Sequence, residues 1–214
     1  MNKKPGCAAV AVLLCLFFAS GATLAQTIET PRFEVGAQFS SLTLANRPSD
    51  TKPGFGGRFT VNLNDNVAVE AETNFYPTES TFPSEETGGR AVQGLFGVKA
   101  GKRFDKFGIF AKARPGLVHF TRVLRVNGFT NEIIDGQSFI IPHFRTQGVT
   151  HFAADLGGVV EFYPSRRIVT RFDIGDTIIR DSGYERPPFP GLVTFSNSAT
   201  THNFQFNAGI GFRF

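Results

Sequence analysis

Tryptophan is absent from the 214 residues, and cysteine and methionine number only 2 and 1. Beyond the N-terminus no apolar run reaches the roughly 18 to 20 residues that a membrane-spanning helix needs, so any crossing of a membrane has to use another architecture. Cys7 and Cys15 both lie in the first apolar stretch. A chain processed after that stretch therefore has no disulfide, no thiolate nucleophile and no cysteine metal site. Charge is sparse, at 19%. The formal net charge of +4 falls to +2 once Lys3 and Lys4 are set aside, leaving 20 bases against 18 acids, too even a balance for nucleic-acid binding. What is plentiful is Phe (25) and Gly (23). Glycine at that density among aromatics argues against a helical bundle, since each helical Gly costs about 1 kcal/mol, and for an all-β chain.

The N-terminus reads as a processing segment. Lys3 and Lys4 precede an unbroken apolar run from Ala8 to Ala19, followed by the small-residue stretch Ser20-Gly-Ala-Thr-Leu-Ala25. This is the pattern of a secretory signal cleaved after Ala25. Two segments are expected on that basis: a signal peptide over 1–25 and a single β domain over 26–214. Cys15 follows Leu14 rather than a small residue, which argues against a lipoprotein anchor.

Eight successive stretches then place apolar residues at every second position, the period of a strand with one apolar face. They start with Phe33, Val35, Ala37, Phe39 and with Phe55, Gly57, Phe59, Val61, Leu63; Val67, Val69, Ala71, Phe75 and Val92, Phe96, Val98, Ala100 follow. The fifth and sixth carry Phe107, Ile109, Ala111, Ala113 and Phe152, Ala154, Leu156, Val160, Phe162. The last two carry Ile168, Phe172, Ile174 and Phe204, Phe206, Ala208, Ile210, Phe212, Phe214. The connections alternate in length. Those at Asn64–Asn66, Lys102–Lys106 and Tyr163–Arg166 are tight, whereas Thr43–Pro53, Pro77–Arg90, Val118–Gly148 and Thr177–Thr200 are long and polar. Up-and-down strands would put every tight turn at one end, the asymmetry of an outer-membrane barrel.

Glycine and charge indicate which face is concave. The polar face carries Gly36, Gly54, Gly56, Gly97, Gly108, Gly116, Gly157, Gly175, Gly209 and Gly211, and the apolar face chiefly Gly57, Gly94 and Gly158. An eight-stranded barrel has little more interior than side chains can fill, so small residues belong inside. The same polar face bears six acids, Glu34, Glu70, Glu72, Asp155, Glu161 and Asp173, and six bases, Arg58, Lys99, Lys112, Arg114, Arg171 and Arg213. An enclosed interior must pair such ions, and the equal numbers suit a paired network that plugs the lumen.

The terminal run Phe204-Gln-Phe-Asn-Ala-Gly-Ile-Gly-Phe-Arg-Phe214 alternates into a final aromatic. It resembles the C-terminal β-signal of bacterial outer-membrane proteins, carried here by Phe204, Phe206, Ile210, Phe212 and Phe214. With the signal segment and the eight strands, the chain resembles the small outer-membrane β-barrels of the OmpA/OmpX type. The resemblance implies a Gram-negative outer-membrane location, both termini in the periplasm, four loops outside, lipid as solvent and the barrel assembly machinery as partner during biogenesis. It does not imply the cell-wall tethering of full-length OmpA-type proteins. Aromatic girdles usually use Trp and Tyr. Here Phe33, Phe55, Phe75, Phe107, Phe162 and Phe214 are expected in that role.

Two features stand out against this pattern. Asp176 continues the apolar register of Ile168, Phe172 and Ile174, which calls for a bulge or for an end to the crossing at Gly175. Within the third loop, His119–Val126 and Ser138–Phe144 remain strand-like and predict a projecting hairpin with Gly128–Gly136 at its tip.

Chemistry is weakly signalled. Barrels resembling lipid A deacylases or palmitoyltransferases use His, Ser and a carboxylate near the outer rim, so the candidates are His119, His143, His151, His202, Ser138, Ser196, Ser198, Asp135, Asp176 and Asp181. Their spacing matches no catalytic motif, and no HxH or HxxxH pair presents two metal ligands on one face. Gly54-Phe-Gly-Gly57 lacks the helix and Lys of a phosphate loop, and Arg186-Pro-Pro-Phe-Pro-Gly191 reads as loop stiffening. No catalytic, cofactor or metal residue is assigned and no cofactor is expected. The expected protein is an eight-stranded antiparallel outer-membrane β-barrel, non-enzymatic, with a structural or surface-interaction role in envelope integrity or adhesion and an unidentified surface ligand for its long loops. The alternatives are a narrow porin-like channel for ions or small solutes, and a lipid-modifying enzyme using a rim residue such as His119 or His151.

Overall fold

The computed structural model of the chain describes residues 31–45, 49–80, 84, 87–183 and 198–214. The expected signal segment, Ser196 and the Arg186–Gly191 stretch lie outside them. Eight strands follow in order: β1 (Phe33–Leu44), β2 (Asp50–Asn62), β3 (Val67–Tyr76), β4 (Ala91–Arg103), β5 (Phe107–Ile134), β6 (Gln137–Phe162), β7 (Ile168–Asp181) and β8 (Ala199–Arg213). Each pairs with its sequence neighbours, and β1 pairs antiparallel with β8, closing the barrel. The seam ends in reciprocal 2.9 Å hydrogen bonds between the backbones of Phe33 and Phe214. Closure leaves no unpaired edge, the condition for strands to cross a bilayer.

Three tight turns lie at one end. In the first, the Asn64 side-chain oxygen accepts 2.8 Å hydrogen bonds from the amides of Asn66 and Val67. In the third, Ser165 Oγ accepts from the amides of Arg167 and Ile168. The apolar stripes face outward: Phe39, Phe55, Phe59, Phe96, Ile109, Leu117, Phe152, Phe172, Ile210 and Phe212 are all exposed on the outer wall. The polar positions between them are buried inside.

The glycines distinguish the two walls. A Cβ on Gly116 would lie 2.0 Å from the carbonyl oxygen of Gly94, and one on Gly97 would lie 2.1 Å from that of Ala113. On the outer wall a Cβ on Gly94 meets nothing within 4 Å, and one on Gly158 has its nearest neighbour at 4.0 Å. The inward glycines thus let strands curve tightly around a small lumen.

Toward the long-loop end the alternation inverts. Leu42, Leu44, Tyr76, Ala91, Leu95, Val118, Phe120, Val123, Ala153 and Ile179 turn inward as one buried apolar cluster. Thr43 and Thr51 face out and meet at 3.0 Å. This is the pattern of a water-soluble barrel, and the strands therefore continue beyond the apolar belt. Asp176 belongs to that outer section. Its strand pairs regularly with β6 and β8 across Gly175, with no bulge, and its carboxylate accepts from His202 Nδ1 at 2.6 Å. Of the two expected resolutions, the regular ladder excludes the bulge.

The third loop is more ordered than its composition suggests. The β5–β6 ladder continues to the Ile134–Gln137 pair, so the tip is only Asp135-Gly136, at φ 52° and 80°. Gly128, expected near the tip, instead pairs with His143. Positive φ at both turn residues matches the right-handed twist of the flanking strands. Register shifts at Phe120/Val123 and Val126/Gly128 bend the ribbon on its way out.

These walls yield a paired expectation. Gly116→Ala should destabilise the barrel by more than about 2 kcal/mol, since backbone must move to admit the methyl group, while Gly94→Ala should change stability by less than about 0.5 kcal/mol. Urea unfolding in lipid vesicles, followed by the gel-mobility difference between folded and boiled protein, measures both.

Candidate functional site

Inward-facing side chains fill the lumen in three layers. The ionic layer nearest the tight turns holds all twelve charges expected on the polar face: Glu34, Arg58, Glu70, Glu72, Lys99, Lys112, Arg114, Asp155, Glu161, Arg171, Asp173 and Arg213, none more than 5% exposed. Lys99 contacts Glu161 and lies 3.5 Å from Glu70. Arg171 clamps Glu70 through both terminal nitrogens and reaches Asp173 through Nε at 2.5 Å. Arg114 joins Glu72 on one side and Asp155 on the other, while Lys112 lies 2.9 Å from Asp155. Arg213 Nε approaches Glu34 at 3.3 Å. Arg58 makes a different contact, donating to the Gln38 amide oxygen at 3.4 Å.

Arg103 was absent from the expected set. It closes β4 with its side chain 3.6 Å from Glu34 and 3.7 Å from Glu161. It also donates to the Tyr163 hydroxyl at 3.1 Å. Tyr163, in the third tight turn, donates in turn to Glu161 at 2.9 Å and lies beneath the Arg213 guanidinium, 4.4 Å from its ring centre. Burial, with Glu161 beside it, pushes the phenol above its ordinary range, so Tyr163 stays a neutral donor. The signal for Arg103 was available. It follows Lys99 by four residues along one strand, and so shares its face.

Above the ions lies an uncharged layer. Gln93 donates to Gln205 at 3.0 Å and accepts from Asn74 at 3.0 Å and from Tyr76 at 3.2 Å. Ser40 bridges Tyr76 and Asn207, and Thr177 donates to Gln205 at 2.6 Å. Asn207 and Asn74 also donate to Glu72, joining this layer to the ions below. The apolar cluster closes the outer end. Stacked along the barrel axis, the three layers occupy the lumen with buried side chains of the described residues.

Among the described residues weighed for chemistry, two histidine–carboxylate pairs form, His151–Asp181 on the inner wall and His202–Asp176 on the outer. His119 shares a 2.9 Å hydrogen bond with Thr150, and His143 bonds Thr130. Ser138 donates to Asn131. His151, buried, lies 3.5 Å from Asp181 at the inner wall. The His202–Asp176 pair is on the outer wall, and Asp135 is at the hairpin tip. Among the described residues no three His, Cys, Asp or Glu side chains gather as metal ligands.

A family model for the outer membrane protein beta-barrel domain matches residues 11–214. The chain belongs to this family. Its place is therefore the bacterial outer membrane, with the apolar belt in lipid. Among solved structures it is similar to Ail of Yersinia pestis, at 12% identity over 85% of this chain and 96% of that one, with a TM-score of 0.46. Neisserial surface protein A is similar at 12% identity over 85% and 97%, with a TM-score of 0.47. The N-terminal barrel domain of Pseudomonas aeruginosa OprF follows at 12% over 85% and 97%, with a TM-score of 0.42. No curated protein matches the chain.

Arg114 is the most connected cation of the lumen, so its loss should be costly. Arg114→Met leaves Glu72 and Asp155 facing each other without it and should destabilise the barrel by about 3–5 kcal/mol. Adding Glu72→Gln should recover at least half of that loss, read as the shift in the urea midpoint.

Proposed function

We propose that this outer-membrane barrel is non-conducting and non-enzymatic, and that it works as a surface-interaction protein through its β5–β6 hairpin. The observation that carries the reading is the contrast between a filled lumen and a projecting ribbon. All of residues 137–148 are exposed, and Ile133, Ile134, Phe139 and Phe144 are 78%, 49%, 44% and 55% exposed. Large apolar side chains held in water on a hydrogen-bonded scaffold are contact residues in search of a partner surface. The lumen residues Glu34, Arg58, Glu70, Glu72, Lys99, Lys112, Arg114, Asp155, Glu161, Arg171, Asp173 and Arg213 serve structure in this reading: they hold eight strands at one radius and leave no route for solutes.

Biogenesis fits the same picture. Residues 1–25 direct export and residues 26–214 form the barrel. The outward stripe of Phe204, Phe206, Ile210, Phe212 and Phe214 is the surface offered to the assembly machinery. The tight turns and both ends of the folded chain face the periplasm, and the hairpin faces outside.

Leu124 and Thr146 are register partners, so an Asn-Gly turn can replace residues 125–145 with the ladder below it kept in register. The shortened protein should keep its gel-mobility shift while cells expressing it lose most of their retention on an octyl-coated surface. In planar bilayers the native protein should show no stable conductance steps. Sustained steps would overturn the sealed-lumen reading in favour of the narrow channel.

A further inference from the structure

The tight-turn rim has a charge pattern that neither the sealed lumen nor the hairpin uses. Arg32, Lys102, Lys106, Arg166 and Arg167 are exposed around this rim, against only Asp65 and Asp105. None of the five bases forms an ion pair among the described residues. They occupy three separate positions around the circumference: the β1–β8 seam, the β4–β5 turn and the β6–β7 turn. Two of them are anchored to the edge of the apolar belt. The Arg32 guanidinium lies 5.8 Å above the ring of Phe33, and the Lys102 ammonium 5.5 Å from that of Phe104. Phe33 lies tilted against Phe214 at 5.8 Å, and Phe104 stacks on Phe107 at 4.6 Å. The aromatic rings mark the depth at which hydrocarbon ends, and the long basic stems carry their charge just past it, at headgroup level.

The opposite end differs. There Arg90 and Arg122 reach Glu79, Lys52 reaches Asp50 and His202 reaches Asp176. These four bases are answered by acids of the protein, although the exposed Arg145 and Arg180 form no such pair among the described residues. At the tight-turn rim none of the five is, which leaves their charge available to an external anion.

We propose that this rim binds the headgroups of anionic phospholipids in the leaflet that it faces, with Arg32, Lys102, Lys106, Arg166 and Arg167 as the phosphate-contacting groups. The inference rests on the reading that the tight turns face the periplasm, which makes that leaflet the inner one. Each basic group at a lipid surface strengthens the attraction to anionic headgroups severalfold, and the effect is screened by salt.

The test uses the barrel purified from outer membranes and reconstituted in phosphatidylcholine vesicles carrying traces of spin-labelled phosphatidylglycerol or spin-labelled phosphatidylcholine. The fraction of label immobilised at the protein surface gives the relative association. The native protein should prefer phosphatidylglycerol by at least about threefold, and about 0.5 M salt should erase most of the preference. Changing all five bases to Gln should bring the ratio to unity with the gel-mobility shift intact. The milder Arg166→Gln/Arg167→Gln pair should lower it partway. Equal association of the two lipids with native protein overturns the proposal, and so does a preference that survives the fivefold change. Retention on isolated peptidoglycan sacculi that the fivefold change abolishes, with no lipid preference, assigns the rim to the cell wall and likewise overturns it. Sidedness is read separately, by labelling Ser165→Cys in intact and in permeabilised cells. Labelling in intact cells removes the periplasmic reading while leaving the vesicle result standing.

Discussion

Backbone hydrogen bonding without water is the constraint from which this molecule follows. Inside hydrocarbon every amide and carbonyl must find a partner in the chain. The ladder from β1 round to β8 supplies them, with the Phe33–Phe214 seam as its last link. Eight strands enclose a narrow space, and that narrowness sets the rest. It requires glycine where strands approach most closely, and it brings the buried lumen charges other than Arg58 into ion pairs. The outer wall has no such restriction, so it carries the large phenylalanines.

The lumen shows how a polar core is organised in layers. Ion pairs in a confined space contribute little net stability compared with a well-packed apolar core, but removal of one partner is severe. The arrangement therefore resists piecemeal change more than it adds stability. The amide layer of Gln93, Gln205, Asn74 and Asn207 is the transition between ions below and apolar residues above. Amides can accept from one neighbour and donate to the next, which suits them to a boundary where neither salt bridges nor bare methyl groups would be satisfied.

Much of the fold was legible in the sequence, because a period of two fixed to lipid-facing Phe and Val reads the same way through every crossing. The twelve lumen charges were legible from the same parity. Legibility stopped where the parity changed its meaning. Leu42, Leu44, Val118 and Phe120 are apolar at inward positions, and a reading tied to one outward register takes them for loop. Arg103 was hidden by its nearness to a turn, although it lies in phase with Lys99. The hairpin was legible as strand, but its length was not, since Asn127 and Gly128 resemble turn residues and only the ladder to His143 shows that they are not. The amide layer gave no signal of its own, because Gln and Asn on a strand are as common at a water-facing surface as in a sealed interior.

The two bulges in β5 have a consequence for how this hairpin can vary. The first, at Thr121-Arg122, swaps the inner and outer faces of the strand relative to the barrel below; the second, at Asn127, swaps them back. Two single-residue insertions thus cancel in phase, and the faces of the distal ribbon align with those of the wall from which it grows. Length changes in this arm are therefore neutral in steps of two residues per strand and disruptive in steps of one, unless a compensating bulge accompanies them. Descendants of this chain can lengthen or shorten their reach by whole pleats while the membrane crossing stays untouched.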